Sequence, residues 1–60
     1  MYKFYDAKGE LWYYDDDLGI VYLVSAGEPL GADNELVNGY EASGPGEALL
    51  LLNAYGYMDK

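Results

Sequence analysis

Two turn signatures ten residues apart govern what this chain can fold into. Asp6-Ala7-Lys8-Gly9 and Asp16-Asp17-Leu18-Gly19 each open on Asp and close on Gly. That chemistry suits a type I turn completed by a left-handed glycine, the loop of a short hairpin with a bulge. The segments between and around the turns are rich in strand formers: Tyr2-Lys3-Phe4-Tyr5, Leu11-Trp12-Tyr13-Tyr14 and Ile20-Val21-Tyr22-Leu23-Val24. Equal strand lengths with repeated turns predict an antiparallel β-meander over Tyr2–Asp6, Glu10–Asp15 and Ile20–Ser25.

If Asp6 faces Glu10 and Asp16 faces Ile20, the register is set. The cross-strand rows are then Tyr2–Tyr14–Tyr22 and Phe4–Trp12–Val24 on one face. The other face holds Lys3–Tyr13–Leu23 and Tyr5–Leu11, with Asp15 near Val21. Both faces are largely apolar, whereas a sheet with one wet face alternates more sharply, so both are expected to need cover.

The second half supplies cover. Gly44-Pro45-Gly46-Glu47 has Pro at a first helical position and an acid near the positive end of the helix dipole. The run Ala48-Leu49-Leu50-Leu51-Leu52 follows and Gly56 suits the far end, which predicts a helix over Pro45–Tyr55. Four consecutive leucines imply burial on more than one side. A strand over Ala48–Leu52 is the competing assignment, disfavoured because Ala and Leu are strong helix formers and none of these residues is β-branched. In the intervening stretch, Asp33 and Gly39 suit the start and stop of a short helix over Asp33–Asn38. The alternative is a hairpin turning at Asn38-Gly39, between Glu35–Val37 and Tyr40–Ala42. The expected architecture is a single α+β domain spanning residues 1–60.

Composition narrows the function. The chain has 11 acids against three lysines, a formal net charge of -8, and no Arg, His, Cys, Thr or Gln. It therefore has no disulfide, no thiolate or imidazole metal ligand and no imidazole proton shuttle. Ser25 and Ser43 lack a histidine base, and a 60-residue domain has little room for a concave site between paired carboxylates, so no enzymatic activity and no cofactor are expected. Direct nucleic-acid binding is disfavoured because almost no cations are present to meet phosphates. The N-terminus has no signal-peptide pattern and Ala48–Leu52 is too short for a bilayer. Neither membrane nor export is expected, and the absence of cysteine fits a reducing cytoplasm.

Asp15-Asp16-Asp17 superficially suggests a calcium loop, but Ile20 stands where the turn glycine belongs and Ala26 where the bidentate Glu belongs. A solvated turn accounts for the run, and no metal is expected.

Charge distribution is the more informative feature. No positive side chain occurs between Gly9 and Asp59, whereas ten acids do. Surfaces tuned only for solubility mix both signs, so a one-sign surface implies a basic partner, with solubility alone as the plainer alternative. Asp15, Asp16, Asp17, Glu28, Asp33, Glu35 and Glu41 are the candidate phosphate surrogates. Tyr5 and Tyr13, on the second sheet face, are candidate aromatic contacts, because Tyr is enriched at interfaces.

In size, charge, tyrosine content and sheet-plus-helix outline, the whole chain resembles the small acidic proteins by which bacteriophages block host defence. These include DNA-mimicking anti-CRISPR and anti-restriction proteins. The resemblance rests on no diagnostic motif and carries over no residue. It implies a host-cytoplasmic inhibitor that binds the DNA-binding surface of a defence ribonucleoprotein, such as a CRISPR surveillance complex. The competing expectation is an interaction module, or a homodimer, built on the aromatic sheet face.

Overall fold

The computed structural model describes residues 1–59 as an antiparallel four-stranded sheet with one helix packed across a face. The strands are β1 (Tyr2–Tyr5), β2 (Leu11–Asp15), β3 (Ile20–Leu23) and β4 (Tyr40–Glu41), adjacent in chain order. The helix, α1, spans Pro45–Ala54. The α+β meander with a C-terminal helix is therefore as expected, and the two-residue β4 adds a fourth strand on the open side of β3.

The first hairpin has the expected register, with Tyr2 opposite Tyr14 and Phe4 opposite Trp12. Asp6 organises its turn. Its Oδ1 accepts the N–H groups of Lys8 and Glu10, both at 2.9 Å, while its main-chain oxygen accepts from Gly9. Its Oδ2 accepts from the buried Trp12 indole at 3.0 Å.

The second hairpin departs from expectation by one residue. Asp15, not Asp16, lies opposite Ile20, so Tyr14 meets Val21, Tyr13 meets Tyr22 and Trp12 meets Leu23. The cause is local. Asp15 Oδ1 accepts from the N–H groups of Asp17 and Leu18, and its main-chain oxygen accepts from Gly19, which closes a longer loop than the first turn. A one-residue slip exchanges the faces of a strand. Val21 and Leu23 therefore join the core, Tyr22 joins Tyr13 on the other face, and Val24 leaves the sheet to start a 3-10 turn over Val24–Ala26.

The expected Asp33–Asn38 helix is absent. Ala32–Asn34 forms a single 3-10 turn in which Asp33 and Asn34 have φ of 57° and 59°, a left-handed geometry that Asp and Asn tolerate through their short polar side chains. Of the alternative hairpin, only the second arm exists, and it pairs with β3 instead of Glu35–Val37. Asn38 is instead a tether. Its side-chain N–H2 donates to the carbonyls of Leu23 and Gly27 at 2.8 and 3.0 Å, and its Oδ1 accepts from Leu23 N–H. Gly39 (φ 103°) presses so closely on β3 that a Cβ would stand 2.0 Å from the Val21 carbonyl oxygen.

Helix α1 lays Ala48 and Leu52, both fully buried, onto the sheet. Together with Trp12, Tyr14, Val21 and Ala42 they make the core, and Phe4, Leu23, Tyr40, Leu51, Tyr57 and Met58 pack around it. Burial on more than one side of the helix is not observed: Leu50 is 68% exposed and Leu49 37%. The helix start is held by Glu47, whose Oε2 accepts from the Ser43 hydroxyl and, at 3.2 Å, from its N–H. Both bonds run from Ser43, the residue before the N-cap Gly44, to the one Glu47 oxygen, and they tie the incoming chain to the first turn of the helix. The Tyr14 hydroxyl donates to the Ala42 carbonyl at 2.9 Å and pins the β4–α1 connection to the sheet.

Candidate acidic interface

The β2–β3 turn projects Asp15, Asp16 and Asp17 from one end of the sheet. One carboxylate oxygen from each lies within 4.8 Å of the others. That separation is shorter than the roughly 8 Å screening length of physiological salt, so an approaching charge meets them as a unit. The geometry is close enough to hold a cation, but one oxygen of Asp15 is already committed to the turn's own N–H groups.

Strand pairing brings a fourth acid to the same end. Asp15 pairs with Ile20 and Ile20 with Glu41, which places Glu41 two strands from Asp15, about 10 Å at ordinary strand spacing. Glu41 also lines an open depression of about 380 Å³ with Leu18, Ser43 and Glu47. Glu47 was not among the expected surrogates. Its place there follows from the β4–α1 connection folding back beside the Gly19 loop, where Ala42 N–H donates to the Gly19 carbonyl.

The electrostatics register this gathering. The Tyr14 hydroxyl pKa is raised, first by burial and then by Asp16, Glu47 and Asp15. The Glu47 carboxyl is held below its ordinary value by the Ser43 hydroxyl and then by Ser43 N–H, so it is charged at neutral pH.

The remaining expected surrogates are distributed differently. Glu28 lies near the second sheet face, where it and Asp15 raise the Tyr22 hydroxyl after burial has done so first. Asp33 and Glu35 belong to a separate exposed loop, closed by the Leu30–Leu36 bridge and by Gly31 N–H donating to the Glu35 carbonyl. Thus Asp15, Asp16, Asp17 and Glu41 come together with Glu47 at one end, and the loop acids do not share their strand row.

The aromatic candidates differ from each other as well. Tyr5 is 64% exposed on edge strand β1. Tyr13 is half-buried, edge-on to Tyr22 with ring centroids 6.0 Å apart. Asp6 is a structural acid: its hydrogen bond from Trp12, followed by those from the main chain, holds its carboxyl below the ordinary value against the opposing effect of burial.

A second cavity, of about 260 Å³, opens at the far side of the β1–β2 turn, where that turn meets the chain after α1. Tyr55 and Tyr57 line it together with Glu10 and Asp59, none of which stood among the expected site residues. Only the fold brings them together, since Glu10 and Asp59 lie at opposite ends of the cation-free span. No helix among the described residues is long and apolar enough to cross a membrane. No protein-family model, curated protein or solved structure matches the chain.

Proposed function

We propose that this protein is a small inhibitor that presents its acidic end to the nucleic-acid-binding surface of a host defence complex and blocks DNA there by charge mimicry. A CRISPR surveillance complex is the favoured target. The observation that carries the proposal is the convergence of Asp15, Asp16, Asp17, Glu41 and Glu47 at one end of a small folded sheet, in a chain with no cation from Gly9 to Asp59. Proteins that bind DNA meet its phosphates with Lys and Arg and release counterions as they do so. A fixed array of carboxylates engages the same cations, and opposite fields speed the encounter.

The test is a gel-shift assay with purified surveillance complex and its target DNA. The chain is expected to prevent DNA binding, whereas a variant with Asp15, Asp16 and Asp17 all changed to Asn is expected to lose most of that effect. Equal inhibition by both proteins would overturn the proposal.

A second reading has its own observation. On the second sheet face Tyr5 is exposed and the Tyr13–Tyr22 pair is only half-buried, an aromatic surface suited to a protein partner or to a second copy of the chain. Light scattering separates the two. A dimer dissociated by Tyr13→Glu, yet indifferent to charge reversal at Asp15–Asp17, favours this surface.

A further inference from the structure

The cavity behind the β1–β2 turn has the makings of a cation receptor. Two tyrosines, Tyr55 and Tyr57, are among the residues that line it. Tyr55 stacks on Tyr40 with centroids 4.6 Å apart and planes inclined by 24°, and it remains 58% exposed, so one ring face is supported and the ring stays open to solvent. Tyr57 is fixed by the Trp12 ring at 4.8 Å and by a 2.8 Å hydrogen bond between its hydroxyl and that of Tyr40. The turn itself is anchored, since Ala7 N–H donates to the Tyr57 carbonyl at 3.0 Å.

Helix α1 ends at this cavity, with Tyr55 as its C-cap and no basic residue in its last turn. The C-terminal end of a helix carries partial negative charge and favours a cation. Here an acid approaches it instead: Asp59 Oδ2 lies 4.0 Å from where a Cβ on Gly56 would stand. Glu10 is a further acid among the lining residues. Asp6 also borders the space, but its oxygens are taken by the turn and by Trp12. Against these acids stands a single ammonium among the described lining residues, that of Lys8. Two acids, the negative end of a helix and the exposed Tyr55 ring all favour positive charge.

We propose that this cavity receives the guanidinium of an arginine side chain on the partner surface, stacked on Tyr55 with its N–H groups donating to Glu10 and Asp59. Arginine fits better than lysine because a planar, weakly hydrated fork can lie on a ring and donate to two carboxylates, which a compact ammonium cannot do at once. This assignment rests on the partner being basic, as in the proposed function, and adds a directional anchor to an otherwise diffuse attraction.

The test is an NMR titration of the full chain with acetyl-Gly-Arg-Gly-amide, alongside the same peptide carrying lysine or citrulline. The arginine peptide is expected to give saturable shifts at Glu10, Tyr55, Gly56, Tyr57 and Asp59, the lysine peptide weaker ones and the neutral citrulline peptide none. Tyr55→Leu and Asp59→Asn are each expected to weaken binding about two- to fivefold, the scale of an exposed cation–π contact or ion pair. Lys8→Gln is expected to strengthen it by removing the internal competitor.

Absence of saturable shifts at these residues, equal binding of citrulline, or indifference to both weakening variants would overturn the assignment. Failure of this site is distinguishable from failure of the proposed function. Loss of peptide binding with DNA competition intact removes the pocket alone, and peptide binding without DNA competition removes the mimicry alone.

Discussion

The leucine run in α1 offers a sharp test of how the helix is seated. Leu52 is fully buried against the sheet, whereas Leu50, half a turn away, is 68% exposed. Truncating a fully buried leucine removes its transfer free energy and leaves a cavity, at a cost of about 2–5 kcal/mol. At about 0.05–0.15 kcal/mol per residue, 60 residues hold only about 3–9 kcal/mol in total. Leu52→Ala is therefore expected to consume a large share of the stability, and Leu50→Ala to change it by no more than about 0.5 kcal/mol. Urea unfolding followed by Trp12 fluorescence measures both. With a denaturant slope of about 1 kcal/mol per molar for so small a domain, the Leu52→Ala midpoint falls by at least about 2 M, whereas that of Leu50→Ala hardly moves. Equal midpoint shifts would refute one-sided burial and mean that the outer face of α1 is covered in solution.

Other outcomes follow from the same contacts. Gly39→Ala is expected to prevent close pairing of β3 with β4, because its Cβ would meet the Val21 carbonyl oxygen at 2.0 Å; loss of amide-exchange protection at Tyr40 and Glu41 is the readout. Tyr40 is pushed up to about 12, first by its hydrogen bond with Tyr57 and then by burial. The neutral ring is favoured in the fold, so that stabilisation is complete below 10.0 and lost as pH rises from there to about 12, a loss that alkaline denaturation should show and Tyr40→Phe should remove. Asp6 runs the other way. Its lowered carboxyl stabilises the fold above the ordinary value of 3.8, and the gain disappears as pH falls through the lower folded value. Asp6→Asn should therefore flatten the acid limb of a urea-midpoint series, and an unchanged limb would remove Asp6 from that account.

What was legible in the sequence, and what was not, has a physical pattern. Asp6 and Gly9 fixed the first hairpin because one Asp was available to open the turn. At the second turn the Asp16-to-Gly19 signature set the loop one residue too short, because the Asp15 side chain, next to two further aspartates, closes a longer loop that exchanges the faces of Val21 and Tyr22. The helix was readable from Pro45, Glu47 and the leucines, but which leucines are buried depends on the angle at which α1 meets the sheet. The segment from Ser25 to Asn38 has no periodicity to read. Its shape comes from Asn38 bonding to Leu23, 15 residues back, and from left-handed backbone at Asp33 and Asn34. At the sites, the Asp15–Asp17 run was visible as a run, but the arrival of Glu41 and Glu47 beside it required the β3–β4 pairing. The Tyr55–Tyr57 cavity required the chain after α1 to return to the first turn.

The most direct test of the central claim is the salt and DNA dependence of binding to the target complex. Affinity is expected to fall steeply between about 50 and 200 mM salt, as it does for proteins whose cations meet phosphates. Duplex DNA is expected to displace the chain competitively, and replacing Asp15, Asp16 and Asp17 with Asn to flatten the salt dependence. A complex that is insensitive to salt and still admits DNA would contradict it.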